Sequence, residues 1–206
     1  MSQTAGMERQ GAWDALKARA VARFGPDTVF GEGPPDARFV IIGEAPGENE
    51  TIARRPFVGR AGQLLNRILQ DAGIDRRQVY ITNVVKVRPT AEAGGGRLKN
   101  RPPRVGEIRD GLEILLPELA LIAPTALILF GNTPAKALIG KGFAMGANRG
   151  AWFTTAANIP ALATYHPAYI LRLEGADEVR VRQIVVDDLA RAQTALTTPP
   201  DARPLA

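Results

Sequence analysis

Four apolar runs in this chain each stop at a polar cluster, and that arrangement leaves few folds open. Phe39-Val40-Ile41-Ile42 runs into Gly43-Glu44-Ala45-Pro46-Gly47, and Val79-Tyr80-Ile81-Thr82 runs into Asn83. Ala126-Leu127-Ile128-Leu129-Phe130 runs into Gly131-Asn132, and the run from Ile159 to Tyr165 ends at His166-Pro167. Short apolar runs separated by helical patterns predict a parallel sheet covered on both faces. In open sheets of that kind, ligands bind in the crevice at the carboxyl ends of the strands. A carboxylate, an amide and the only histidine are therefore expected to converge on one pocket.

The helical patterns lie over residues 7–24, with Ala12, Leu16, Val21 and Phe24 as apolar positions, over 61–72, over 105–121 with a kink at Pro117, over 134–139 and over 177–196. Gly73 follows the second of these as a stop signal. Residues 88–104 break the alternation with a basic, triglycine-containing stretch that predicts a long flexible loop. Residues 140–158 are Gly-rich and irregular, with Trp152-Phe153 available for a short extra strand. A length of 206 residues fits one domain spanning 1–206, with frayed ends over about 1–8 and 197–206.

The absence of cysteine excludes disulfides, thiolate catalysis, iron–sulfur ligation and the paired-cysteine zinc site of base deaminases. A net charge of +5 suits a polyanionic partner without identifying one. No apolar run is long enough to cross a bilayer, and the polar Met1–Gln10 segment lacks the apolar core of a signal peptide, so a cytoplasmic protein is expected.

Taken singly, the motifs are weak. Gly43–Gly47 has neither the Lys-Ser/Thr of a phosphate-binding loop nor a dinucleotide fingerprint. Phe57, between Pro56 and Val58, reads as core as readily as a ligand contact. Asn83 reads as a turn cap or as an amide that donates to and accepts from a planar ring. Arg97, Lys99, Arg101 and Arg104 read as a solvated face or as phosphate contacts.

Together, GEAPGENE…RRPFVGRAGQLLNRIL, VYITNVVKVRP, NRPP, LILFGNTPAKALIG and HPAYILR resemble, in content and order, the uracil-DNA glycosylases of the family 4 type, over roughly residues 27–190. The resemblance implies a three-layer α/β/α sandwich with a central four-stranded parallel sheet. It implies cleavage of the N-glycosidic bond of deoxyuridine in DNA, releasing uracil and leaving an abasic site for base excision repair. Two departures stand out. The family's four cluster-binding cysteines are missing; Leu16, Arg19, Val87 and Gly111 stand near their places, so no cofactor is expected. The extra length at 90–100 is similar to the basic loop of family X glycosylase-like proteins, which use a loop histidine to bond covalently to the abasic site. This loop has no histidine, so that chemistry is not expected.

By the resemblance, Phe57 stacks on a flipped uracil, and Asn83 accepts from its N3–H and donates to O4. Gly43 and Ala45 line the base, and His166 with the amides around Glu44 and Ala45 stabilises the departing anion. Glu44 is the first choice to position water and Glu50 the second. Ile170 or Leu171 fills the vacated stack, while Arg172 and the loop cations hold phosphates. The expected partners are uracil-containing and abasic DNA, with the protein a monomer. The alternatives are a non-turnover binding module or sensor for uracil or abasic DNA and, more weakly, a hydrolase of free nucleosides. No metal site is expected.

Overall fold

The structure, a computed structural model, describes residues 3–194 and 201–205. Its elements in chain order are α1 (Gln3–Phe24), β1 (Phe39–Gly43), α2 (Glu48–Ala53), α3 (Arg60–Asp71), β2 (Val79–Asn83), β3 (Thr90–Glu92), β4 (Leu98–Asn100) and α4 (Val105–Ile122). Then follow β5 (Ala126–Phe130), α5 (Asn132–Leu138), α6 (Met145–Asn148), β6 (Trp152–Thr154), β7 (Pro160–Thr164), α7 (Pro167–Ile170) and α8 (Gly175–Thr194). The main sheet has the order β2-β1-β5-β7-β6. Its first four strands are parallel, and β6 adds an antiparallel fifth at the β7 edge.

Strand periodicity divides the core into two layers. Val40, Ile42, Leu127 and Leu129 point to one face, under α1, α4 and α5. Phe39, Ile41, Ala126, Ile128 and Phe130 point to the other, under α3 and α8. Because side chains alternate between faces, a strand buried on both must be apolar throughout. That is why the runs read as unbroken. The outer edge of β2 is covered by Glu32, whose N–H and C=O pair with Ile81 at 2.9 and 2.8 Å.

Three expectations change. Residues 90–100 form an antiparallel hairpin rather than a flexible loop, with Thr90 opposite Asn100 and Glu92 opposite Leu98. Its triglycine is the turn: Gly94, Gly95 and Gly96 all take positive φ, a conformation that side-chain-bearing residues rarely adopt. Part of the tail expected to fray also has a place. Thr154 N donates to Arg203 O at 2.9 Å, so 201–205 lies along β6, while 195–200 and 206 fall outside the described residues. At the other end α1 is already helical at Gln3, within the stretch expected to fray.

Two features tie the α1–α4 layer. At its centre, Lys86 Nζ donates to Glu118 Oε2 at 2.6 Å and to Thr82 Oγ1 at 2.7 Å, with both charged side chains fully buried. Tyr80 Oη donates to the other Glu118 oxygen at 2.7 Å. Further along, α4 runs through Pro117 without interruption. Proline has no N–H to give the carbonyl four residues back, and here the Arg19 Nη2 of α1 donates to that Glu113 carbonyl. Arg23 adds an ion pair to Asp110 at 2.9 Å. Arg19→Ala is expected to lower stability by about 1 kcal/mol in chemical denaturation. The same change should cost much less beside Pro117→Ala, because that substitution restores a backbone N–H for the carbonyl. Equal costs in both backgrounds would show that the arginine does not serve that carbonyl.

Candidate active site

The carboxyl ends of β1, β2, β5 and β7 open into one pocket of about 860 Å³, lined by Glu44, Ala45, Phe57, Asn83, Phe130 and His166 among others. Sheet register sets this convergence. Gly43 lies beside Asn83 on neighbouring strands, and Phe130 beside Thr164, two residues before His166. Gly43 permits the close approach: a Cβ there would fall 2.4 Å from Asn83 Oδ1 and 2.6 Å from Phe57 Cζ. Val84 N and Val85 N donate to the carbonyls of Gly43 and Glu44, both at 3.0 Å, which locks the two strand ends together.

Asn83 is 3% exposed, and no hydrogen bond engages its amide among the described residues. Its amide faces the pocket, where a ligand with matching groups can both donate to it and accept from it. His166 sits at the start of α7, where the Ala168 N–H donates to Nδ1 at 3.0 Å. That bond assigns the ring proton to Nε2, leaving a donor for the pocket. Burial, with a smaller contribution from the Arg172 charge, pushes the imidazole down to about 4, so it is neutral near pH 7. Glu44 accepts a hydrogen bond from Thr133 Oγ1. Phe57 takes φ +53 and stacks on the His166 ring at 5.7 Å while packing on Phe130 at 6.5 Å. It packs in the core and lines the pocket wall at once.

Several expected roles are corrected by geometry. Glu50 reaches the pocket wall, but its carboxylate accepts from the amides of Gly47 (3.1 Å), Val58 (3.0 Å) and Gly59 (2.6 Å). It is a brace between the glycine motif and the Phe57 loop rather than a group free to handle water. Ile170 is fully buried and cannot enter a DNA stack, whereas Leu171 lies at the pocket. Arg101 is committed to Glu107 at 2.6 and 2.8 Å and to the Thr90 carbonyl at 2.9 Å. That contact holds Glu107 down at about 2. Arg97, Lys99 and Arg104 are exposed and have no ion pair among the described residues, and Arg172 is exposed beside Leu171.

Other contributors are not singled out by the sequence. Thr133 orients Glu44, and its place just after a strand end in Gly131-Asn132-Thr133 is an available signal. Arg76 holds the Pro56 carbonyl at 3.3 Å while paired with Glu32 at 3.0 Å, which fixes the turn before Phe57. Nothing in the local sequence marks Arg76. On the hairpin, Asn100 accepts from Arg88 Nε at 2.6 Å and lines the pocket mouth.

The positions expected to correspond to cluster ligands fit no iron–sulfur cluster. Leu16, Arg19, Val87 and Gly111 offer no thiolate, and a Cβ on Gly111 would meet the Val84 carbonyl oxygen at 2.2 Å.

Residues 30–190 match the family model described as the uracil DNA glycosylase superfamily. The type-4 uracil-DNA glycosylase of Thermotoga maritima is 36% identical over 169 residues, covering 82% of each chain. That of Sulfurisphaera tokodaii is 35% identical over 188 residues, covering 86% of this chain and 78% of its own. Among solved structures, SMUG2 of Pedobacter heparinus shares the fold with a TM-score of 0.55 at 18% identity, over 79% of this chain and 76% of that one.

Proposed function

Because the chain belongs to the uracil DNA glycosylase superfamily, we propose that the pocket hydrolyses the N-glycosidic bond of a flipped deoxyuridine by the following division of labour. The activity is that of a uracil-DNA glycosylase, which releases uracil from DNA and leaves an abasic site for base excision repair. The observation that carries the mechanism is the meeting, in one pocket, of the Asn83 amide, which has no hydrogen bond among the described residues, with a neutral His166 at the ends of two strands of one sheet.

Uracil leaves the stack and enters against Phe57. The Asn83 amide accepts from N3–H and donates to O4. As the glycosidic bond breaks, both of its electrons pass to uracil N1, and the anion spreads over the ring to O2. His166 Nε2–H and the Ala45 amide, which has no acceptor among the described residues, stabilise that charge without transferring a proton. Glu44, oriented by Thr133, faces the cationic sugar and takes a proton from the attacking water as its hydroxyl bonds to C1′; uracil leaves as the N1 anion and is protonated by solvent. Leu171 fills the gap in the stack. Arg172 with Arg97, Lys99 and Arg104 contacts phosphates. We place the enzyme in the cytoplasm, on DNA and as a monomer; among the described residues no helix is long and apolar enough to cross a membrane.

A time course with excess uracil-containing oligonucleotide tests this reading. Continued release is expected; a plateau at one equivalent would make the protein a sensor, and activity confined to free deoxyuridine would make it a nucleoside hydrolase. Discrimination is tested by Asn83→Asp. Cytosine offers an acceptor at N3 and a donor at C4, the reverse of uracil, so an amide that presents its oxygen to N3 and its nitrogen to the C4 substituent leaves unpaired groups against it at about 1–3 kcal/mol each. The variant should reduce the uracil-to-cytosine preference by roughly ten- to a hundredfold. An unchanged ratio would assign discrimination elsewhere.

The hairpin supports a hold on the abasic product. Shortening 91–98, or changing Arg97, Lys99 and Arg104 to Ala, is expected to weaken abasic-DNA binding. The log–log salt slope should fall by about one unit per lost phosphate contact. With no histidine in the loop, the complex is non-covalent. Persistence of a product complex through boiling in detergent would overturn that.

A further inference from the structure

The pocket's rim carries an aromatic pair that the reaction above leaves unused. Tyr165 ends the run leading to His166, and Tyr169 lies in α7 three residues beyond it. Their ring centroids are 5.5 Å apart, with planes inclined by 32°. Both border the pocket, and Tyr169 is 39% exposed, unusual for so large a ring beside a binding site.

The two rings are supported unequally. Behind Tyr165, Arg149 places its guanidinium carbon 5.8 Å from the ring centroid. Arg149 is itself held by Asp188 at 2.6 and 2.8 Å, and the buried Asp188 also accepts from Thr164 Oγ1 at 2.6 Å. That half is fixed to the sheet. Over Tyr169, Arg172 sits at 5.9 Å, exposed and with no ion pair among the described residues. An exposed cation–π contact is weak, and weaker than stacking of a nucleobase on the same ring. Arg172 is therefore a displaceable cover, with phosphate as the natural destination for its charge.

We propose that Tyr169, backed by Tyr165, is a stacking subsite for the base adjacent to the flipped uracil, taken up when Arg172 leaves the ring for the neighbouring phosphate. This deepens the glycosylase reading and rests on it, because the subsite is defined relative to a uracil already in the pocket. A neighbouring base can reach the ring only if it unstacks from its own strand, which single-stranded DNA permits and a duplex opposes. The substrate class assigned is therefore uracil in single-stranded or frayed DNA.

The test compares single-stranded oligonucleotides in which one neighbour of uracil is thymine or 5,6-dihydrothymine. Saturating that ring keeps the exocyclic groups and removes the flat π face. Single-turnover uracil release is measured against enzyme concentration for wild type, Tyr169→Phe and Tyr169→Ala. On one side of the uracil, dihydrothymine should raise the half-saturating concentration about fivefold for wild type and Tyr169→Phe, with a much smaller change in the saturating rate. Tyr169→Ala should start from the raised value and respond to neither base. In duplex DNA the response of wild type should shrink. The platform is overturned if wild type ignores the neighbouring base on both sides while releasing uracil normally, or if Tyr169→Ala still senses it. Failure of wild type to release uracil from any oligonucleotide would instead overturn the glycosylase reading, and the platform with it. The wild-type arm and Tyr169→Phe decide the matter even if the alanine variant folds poorly.

Discussion

Replacing His166 by alanine is expected to lower the saturating single-turnover rate of uracil release about 10²–10³-fold, the usual loss for one donor aimed at developing charge. Binding of uracil-containing DNA should weaken far less, because the charge on the base exists only as the bond breaks. The Ala168 amide leaves the ring its proton at Nε2, and the low pKa keeps the ring neutral through the working range. The pH dependence follows. Between pH 8 and about 5 the histidine should impose no titration on the saturating rate, and activity should decline only as pH approaches 4. Stability has its own sign. The folded-state value lies below the ordinary 6.5, so an unfolded chain takes up a proton that the folded one refuses. This group's stabilising contribution is complete above about 6.5 and is lost as pH falls towards 4. A saturating rate that rises on acidification through pH 6.5 would mean that an imidazolium, not a neutral donor, does the work.

The largest loss of stability is expected from Lys86→Met, at about 3–5 kcal/mol in chemical denaturation, since it strands the Glu118 carboxylate in the core. Glu118 is fully buried and faces Lys86, Tyr80 and Thr82. Burial and the neighbouring carboxylate push the Tyr80 phenol upward, so it stays a donor and remains with Glu118. The phenol, the hydroxyl and the Gly31 amide, which donates at 3.2 Å, cannot replace the lost cation. Lys86→Met with Glu118→Met should cost much less than the sum of the two single changes, because no charge is then left unpaired. Additive costs would show that the two residues act independently. Lys86 Nζ also donates to Thr82, the residue before Asn83 in β2, so the single variant should lose uracil affinity through Asn83 at temperatures where it remains folded.

Much of the site is legible because strand ends are legible. Glu44, Asn83 and His166 each sit where an unbroken apolar run stops, and a parallel sheet brings such stops together. What stays hidden is which polar groups are already spent. Glu50 and Glu44 are both carboxylates on one loop. Only the three amides converging on Glu50 mark it as the one already engaged. Ile170 and Leu171 are equally apolar, and the end of the short helix opened by His166-Pro167 decides which is buried. Arg101 looks as cationic as Arg97, yet its partner Glu107 lies in the next helix. The triglycine reads as slack because composition reports freedom, not the turn that uses it. Pairings across the fold, such as Lys86 with Glu118, leave no local pattern.

The joint between α1 and α4 is made of arginine, a carbonyl released by proline, and a carboxylate. Every part of that joint is carried by the two helices themselves, so it closes in the same step that packs α1 on α4 and should open with it: Arg19 and Arg23 report on one docking event.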